Sequence, residues 1–146
     1  MIATNVQLYN IENQPMRIVS DTSAIIAVIA GEPDKGRLVE LTQGADLLAP
    51  PSLHWELGNA LASQLRRGRL RFEEADALLR LYQRIPIQFV DVSVAAALEI
   101  ADALEVYAYD AYMIACAQKY RAPLLTLDQA LGRAAEAIGV EVLEVT

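Results

Sequence analysis

The feature that most constrains the fold is a short apolar run that stops at an acidic residue, Ile18-Val19-Ser20-Asp21-Thr22-Ser23. Its first two residues are β-branched and favour a buried strand. Either of its last two residues is suited to cap the apolar helical segment 24–30 that follows. Asp21 therefore lies where a strand leads into a helix. Ligands and chemistry gather at this end of the strands in open α/β sheets, although simple helix capping is an alternative role for such an aspartate.

The same alternation of short apolar runs and longer amphipathic segments continues along the chain. Further strands are predicted at 47–49, 87–92, 124–127 and 140–145, and helices occupy the stretches between them. This order predicts a single-domain α/β three-layer sandwich, in which a mostly parallel sheet carries helices on both faces. A chain of 146 residues is long enough for one such domain and too short for two ordinary ones.

The first fifteen residues do not share this pattern. Residues 1–15 are polar, aperiodic and rich in Asn and Gln, whereas Met16 directly precedes the first strand signal. We therefore expect a leader or tail at 1–15, outside the core, and a domain over 16–146. We also expect a leader of this kind to be dispensable for folding.

The composition of the chain indicates the cellular compartment in which the protein is expected. A single cysteine, Cys116, excludes an internal disulfide framework and favours a reducing compartment. No apolar run approaches the ~20 residues of a membrane span, and the N-terminus lacks the form of a signal peptide. The sequence therefore predicts a cytoplasmic protein that is not embedded in a membrane.

Charge is unevenly distributed. A net charge of −7 argues against binding nucleic acid by bulk electrostatics. Four arginines nevertheless fall within six residues, at Arg66, Arg67, Arg69 and Arg71. They fit two interpretations equally well: a basic surface grouped for nucleic acid, or the solvated C-terminal end of a helix, where cations are favoured.

Four acidic residues occupy comparable places in the predicted fold. Asp21 and Asp128 each follow an apolar strand, Asp110 opens a helix, and Glu56 lies near the start of the helix 53–67. In a parallel sheet these places share the edge formed by the carboxyl ends of the strands. Two carboxylates ~4 Å apart repel by about 4 kcal/mol at an effective dielectric of ~20. Such a cluster either takes up protons or holds a cation, and its oxygen ligands favour Mg²⁺ or Mn²⁺ over zinc.

Glu56 flanks the predicted buried stripe of its helix, formed by Leu53, Leu57, Leu61 and Leu65. A carboxylate in that position needs a partner, because burial of an unpaired charge is costly. Asn59 lies one turn further on, at the i+3 position, and is predicted to orient Glu56.

Other chemistries receive less support. The sequence contains no phosphate-binding glycine motif and no G-x-S-x-G elbow, and its single histidine, His54, is interpreted as a packing or surface residue. Tyr107, Tyr109 and Tyr112 have a spacing that favours core packing over stacking on bases. Two further interpretations of the acids stay open: a phosphotransfer domain with an aspartyl nucleophile, and a catalytically silent binding module.

The chain resembles the PIN-domain ribonucleases, and more narrowly the VapC-type toxins of toxin–antitoxin pairs. The resemblance covers Met16 to the end and rests on four motifs in order: Asp21-Thr22-Ser23, Pro51-Ser52-Leu53-His54-Trp55-Glu56-Leu57-Gly58-Asn59-Ala60-Leu61, Tyr109-Asp110-Ala111 and Leu125-Thr126-Leu127-Asp128. It implies a five-stranded parallel sheet and a Mg²⁺- or Mn²⁺-dependent endoribonuclease. It also implies a homodimer that a cognate antitoxin blocks.

The same resemblance implies roles for individual residues. It assigns metal binding and catalysis to Asp21, Glu56, Asp110 and Asp128, and it places the hydroxyl of Thr126 near the site. Asp21 and Asp110 are predicted to be ligands, and Glu56 either ligates the metal or acts through a water. Asp128 is predicted to orient other groups. Ser23 and Asn59 complete the predicted site as supporting residues. The leader before Met16 departs from the usual compact start of these proteins.

Overall fold

The computed structural model describes residues 14–146 of the chain. Within this range the strands are β1 (Arg17–Ser20), β2 (Asp46–Ala49), β3 (Ile87–Phe89) and β4 (Leu124–Leu125). The helices are α1 (Thr22–Ile29), α2 (Lys35–Thr42), α3 (Ser52–Arg66), α4 (Phe72–Gln83), α5 (Val94–Leu104), α6 (Ala108–Tyr120) and α7 (Gln129–Ala137). The expectation of a leader at 1–15 falls almost wholly on residues 1–13, which lie outside the described residues.

The strands form one sheet in the order β3-β2-β1-β4, and every pairing in it is parallel. The register places Val19 beside both Leu48 and Leu124, so β1 is an inner strand. Asp21 therefore follows the carboxyl end of an inner strand, with β4 ending next to it. The predicted α/β fold with a parallel sheet and helices is confirmed.

Helices cover both faces of the sheet because successive strand residues point in opposite directions. Val19 belongs to the larger apolar cluster, which also takes in buried residues of α3, α5 and α6. Its neighbour Ile18 belongs to a second cluster, together with buried residues of α1 and α2. Within residues 14–146, no helix has the combination of length and hydrophobicity needed to cross a bilayer.

The expectation of a fifth strand is wrong for the described chain, in which the sheet has four strands. The predicted strand 140–145 is reduced to one isolated parallel bridge between Leu124 and Val142. Two backbone bonds form it: Leu124 N–H donates to the Glu141 carbonyl at 2.8 Å, and Leu143 N–H donates to Leu124 at 3.0 Å.

The bridge does not extend into a strand because β4 ends two residues earlier than predicted. The next backbone donors turn towards side chains: Leu127 N–H donates to Ser23 Oγ at 2.9 Å, and Asp128 N–H donates to Thr126 Oγ1 at 2.9 Å. Backbone groups committed to side chains cannot pair with another strand. The bond from Leu127 to Ser23 also connects the end of β4 to the beginning of α1.

The apolar stripe of α3 is also shorter than its spacing predicts. Leu53 and Leu57 are fully buried and Leu61 is partly buried, but Leu65 is exposed. The far end of α3 thus extends beyond the core, and the arginine-rich stretch follows it into solvent. β3 likewise ends at Phe89 rather than at residue 92.

Candidate functional site

Asp21 is held by three donors at the junction of β1 and α1. Its carboxylate accepts from Ala24 N–H at 3.0 Å and from Ser23 Oγ at 2.8 Å, and it accepts a short hydrogen bond from Thr126 Oγ1. Asp21 is therefore the N-cap of α1, as the capping interpretation expected. It is also only 5% exposed, and this burial raises the pKa of its carboxyl above the ordinary value.

Thr126 and Ser23 connect the two strand ends through their hydroxyls. Thr126 donates to Asp21 and accepts from Asp128 N–H, while Ser23 donates to Asp21 and accepts from Leu127 N–H. Each hydroxyl thus uses both of its hydrogen-bonding functions. These bonds fix the carboxylate of Asp21 from two sides.

Asp128 is the N-cap of α7. Its Oδ1 accepts from Ala130 N–H at 3.0 Å and from Leu131 N–H at 3.2 Å, and the residue as a whole is exposed. One carboxylate oxygen is therefore committed to the helix, and Asp128 is positioned by its own backbone neighbours.

Glu56 lies in the second turn of α3, slightly further along than expected, because the helix begins at Ser52 rather than after it. Its Oε1 is buried and has no hydrogen-bond partner of good geometry, and the same holds for Thr22 Oγ1. Burial raises the pKa of Glu56 to about 7, the Thr22 hydroxyl opposes that rise, and the charges of Asp21 and Asp110 add to it.

Asn59 does not orient Glu56 in this structure. Its side chain is exposed, and no hydrogen bond joins it to the Glu56 carboxylate within residues 14–146. The hydroxyl that acts on the Glu56 carboxylate is instead that of Thr22, which sequence reasoning missed as a site residue. The signal for it was present in the motif Asp21-Thr22-Ser23, but its importance depends on how closely α3 approaches α1.

Asp110 is the third residue of α6, two positions after the helix begins at Ala108. A carboxylate in the first turn is favoured by the helix dipole. The residue is partly buried, and burial raises the pKa of its carboxyl above the ordinary value, with a further contribution from the charge of Asp128.

The four predicted acids form one electrostatic cluster. Repulsion couples Asp21 to Asp128, Glu56 to Asp21, Glu56 to Asp110, and Asp110 to Asp128, so the couplings close into a ring. The fold therefore brings together side chains from α1, α3, α6 and α7 that are up to 107 positions apart in the sequence. Every resolved pKa shift among them is upward, with burial as the largest cause and repulsion by neighbouring carboxylates as a further one.

A divalent cation is compatible with this cluster. Among residues 14–146, no three His, Cys, Asp or Glu side chains converge into a ready-made ligand set. Mg²⁺ does not need such a set, because it keeps several waters and binds through one or two carboxylates. The buried, unpaired Oε1 of Glu56 is an acceptor that a cation or its water would satisfy.

Aromatic residues outside the acid cluster depart from expectation in two cases. His54 is exposed, as one of its two interpretations allows, and its Nδ1 lies 2.8 Å from the Tyr82 hydroxyl. The expectation of core packing is wrong for Tyr109, which is 51% exposed, and for Tyr107, which is 87% exposed. Tyr107 precedes α6 directly, next to the turn at Glu105, whose backbone is left-handed, and there the chain runs over the surface.

Several solved structures share this fold. PAE2754 from Pyrobaculum aerophilum superposes with a TM-score of 0.70 at 20% identity, covering 89% of this chain and 90% of that one. VapBC2 from Rickettsia felis, solved bound to a DNA fragment from their promoter, superposes with a TM-score of 0.65 at 17% identity. The match covers 88% of this chain and 98% of that one. VapC20 from Mycobacterium tuberculosis, described as a sarcin-ricin loop cleaving toxin, superposes with a TM-score of 0.60 at 18% identity. The match covers 87% of this chain and 98% of that one.

Family membership rests on sequence rather than on these superpositions. No curated protein sequence gave a significant match to the chain. The model of the PIN domain family, by contrast, matches residues 18–137, a range that contains all four acids of the cluster. Because this match spans most of the chain, the protein belongs to the PIN domain family.

Proposed function

We propose that the protein is a Mg²⁺- or Mn²⁺-dependent endoribonuclease that acts as the toxin of a toxin–antitoxin pair. One observation carries the proposal: four carboxylates are mutually coupled at the carboxyl end of a parallel sheet, and one of them has a buried oxygen without a partner. Such a cluster is costly without a cation, so its presence favours a function that uses one.

The surroundings of each residue determine the role that we propose for it. Asp21 and Asp110 are the proposed metal ligands, because both are at least partly buried and the charges of both act on the Glu56 carboxylate. The bonds from Thr126 and Ser23 hold the Asp21 carboxylate in one orientation. Asp128 is not a proposed metal ligand, because its Oδ1 accepts hydrogen bonds from the backbone of α7. Its role is to orient other groups of the site and to repel the neighbouring carboxylates. When bound, the metal supplies an activated water and stabilises charge on the leaving oxygen.

Glu56 is proposed to move a proton at its Oε1 atom. That oxygen is buried and has no hydrogen-bond partner of good geometry among the described residues, and burial raises the pKa of the group to about 7 in the metal-free protein. A carboxylate with a pKa near the working pH both accepts and returns a proton readily.

RNA as the substrate and an antitoxin as the partner come from likeness rather than from the site alone. VapC20, one of the similar structures, is described as cleaving the sarcin-ricin loop. The motif resemblance implies a cognate antitoxin, and the similarity to VapBC2 supports it. We include both in the proposal, together with a cytoplasmic location.

Cleavage of a single-stranded RNA by the purified protein tests the proposal. We expect EDTA to abolish cleavage and either Mg²⁺ or Mn²⁺ to restore it, because the carboxylates alone do not stabilise the leaving oxygen. Mn²⁺ should also raise the melting temperature. A protein that binds metal but cuts no RNA would favour the silent binding module. Cleavage unaffected by EDTA would exclude metal dependence.

A homodimer is part of the proposal, and α5 offers the surface for it. Val94 and Leu98 on this helix are 58% and 59% exposed, which is unusual for large apolar side chains. We expect Leu98→Lys to shift the mass measured by light scattering at micromolar concentration from dimer to monomer, because a charge would be buried at the interface. Ala103→Lys, on the opposite side of α5, is the control and should stay dimeric. A monomeric wild type would contradict this part of the proposal.

A further inference from the structure

The helical hairpin formed by α3 and α4 is a basic region of an acidic protein. Residues 52–84 contain six arginines and four acidic residues, a net charge of +2, whereas the whole chain carries −7. The basic residues concentrate in the turn between the two helices, residues 66–71, which holds four arginines and no acid. We call this segment the arginine turn.

The arginines of the arginine turn are mostly available for a partner. Within residues 14–146, the ion pairs of this hairpin join Arg71 to Glu74 and Arg80 to Asp76. Arg66, Arg67 and Arg69 take part in none of the ion pairs of the described chain, and all three are exposed. Three neighbouring unpaired guanidinium groups repel one another, so they favour binding of a polyanion.

The backbone of the arginine turn is well defined. Gly68 has a φ of +69°, Gly68 N–H donates to the Leu65 carbonyl at 3.1 Å, and Arg69 N–H donates to the Gln64 carbonyl at 2.9 Å. These two bonds form the Schellman motif that ends helices at a left-handed glycine. The arginines therefore project from a fixed turn, which lowers the entropy lost when they bind.

The arginine turn is aligned with the acid cluster through α3. Arg67 follows Glu56 by eleven residues, and Arg66 follows Trp55 by the same interval. Eleven residues are close to three helical turns, so each pair shares a face of the helix at a separation of roughly 16 Å. A polymer bound along this face would thus pass from the guanidinium groups to the carboxylates within a few nucleotides.

Two exposed aromatic rings distinguish this surface from a simple cationic patch. Trp55 and Phe72 are each 69% exposed, one at the start of α3 and the other directly after the arginine turn. Such rings stack on nucleic-acid bases, whereas an acidic protein segment gains little from them. The combination of unpaired arginines and exposed rings is that of single-strand binding surfaces.

We propose that the arginine turn, together with Trp55 and Phe72, binds the single-stranded RNA substrate and leads it along α3 to the acid cluster. This inference rests on the proposed function for the identity of the substrate. It assigns phosphate contacts to Arg66, Arg67 and Arg69 and base stacking to the two rings. It also resolves the ambiguity between a nucleic-acid contact and a solvated helix end in favour of the contact.

Binding measurements in EDTA test the inference without any cleavage. An unstructured 20-nucleotide RNA is titrated by fluorescence anisotropy at several salt concentrations. For single strands the slope of log K against log salt is about −0.7 per phosphate contact, so R66Q/R67Q should reduce its magnitude by about 1.4 and weaken binding roughly tenfold. Phe72→Ala should weaken RNA binding at least about fivefold through lost stacking. Trp55 is the only tryptophan, so its fluorescence should be quenched by the RNA.

The matched control is K35Q/R37Q, which removes the same charge from exposed positions on α2. We expect it to keep the wild-type slope and an affinity for the RNA within twofold of the wild type.

A 20-residue polyglutamate peptide is the second probe. If the peptide binds as tightly as the RNA, or if Phe72→Ala weakens binding of the peptide as much as binding of the RNA, the surface is a protein-binding one and the inference is overturned. An unchanged slope in R66Q/R67Q would also overturn it and leave the nuclease proposal intact. RNA binding through the arginine turn without any metal-dependent cleavage would instead contradict the proposed function alone.

Discussion

Asp110→Asn is expected to lower metal-dependent RNA cleavage by roughly a hundredfold or more while leaving the metal-free protein folded. Asparagine has nearly the same size but lacks the negative charge that a hard cation prefers. Losses of this order are typical when a group that stabilises developing charge is removed. The measurement is the initial rate of cleavage of a single-stranded RNA at saturating Mn²⁺.

The unfolding free energy of Asp110→Asn separates a catalytic role from a structural one. In the metal-free protein Asp110 is repelled by Asp128 and partly buried, so the variant should be as stable as the wild type or more stable. A residue that serves only the dipole of α6 would show the reverse, a loss of up to about 1 kcal/mol and normal activity. Asp102→Asn, an exposed change on α5, is the control and should leave both quantities unchanged. Wild-type cleavage by Asp110→Asn would refute the site assignment.

The parts of the fold that could be predicted are those in which local signals agree. At Asp21, β-branched residues, a capping aspartate and an apolar helical segment all indicate the same strand-to-helix junction, and the structure has it there. The meeting of Asp21 with Asp128 followed from the rule that parallel strands end at one edge. This prediction requires only that each of the two residues follows a strand of the same parallel sheet.

The features that could not be predicted depend on contacts between distant segments. The stretch 140–145 has the composition of a strand, but whether it pairs is decided by Leu127 and Asp128, whose backbone donors bond to hydroxyls instead. Helical spacing alone predicts Asn59 as the partner of Glu56. The neighbour that the structure provides is Thr22, and it lies on another helix.

Glu56→Gln is expected to stabilise the protein relative to the wild type at pH 8 more than at pH 5 in the absence of metal. The folded-state pKa of Glu56 is raised from 4.5 to about 7, so the folded protein binds this proton more tightly than the unfolded chain does. The resulting contribution to stability is fully present below pH 4.5 and is lost as pH rises through 7. Burial also raises the pKa values of Asp21 and Asp110, and they act in the same direction.

The wild type should therefore be less stable at pH 8 than at pH 5 in EDTA, and Glu56→Gln should remove a large part of that difference. A shift of this size corresponds to roughly 3 kcal/mol for a fully buried group, and partial exposure of the side chain reduces this to about 1–2 kcal/mol. Urea unfolding of both proteins at the two pH values provides the measurement. Glu32→Gln, at an exposed position, is the control and should follow the wild type at both pH values.

Saturating Mn²⁺ extends the same experiment to the role of the carboxylate. A bound cation favours the ionised form of Glu56, so metal should stabilise the wild type at pH 8 more than it stabilises Glu56→Gln. The variant that is the more stable protein in EDTA should thus gain less from the metal. Equal gains in the two proteins would show that the Glu56 carboxylate does not face the cation. A wild type whose stability in EDTA is the same at pH 5 and pH 8 would show that Glu56 is ionised at both values, and that its buried oxygen is compensated by a group of the protein itself.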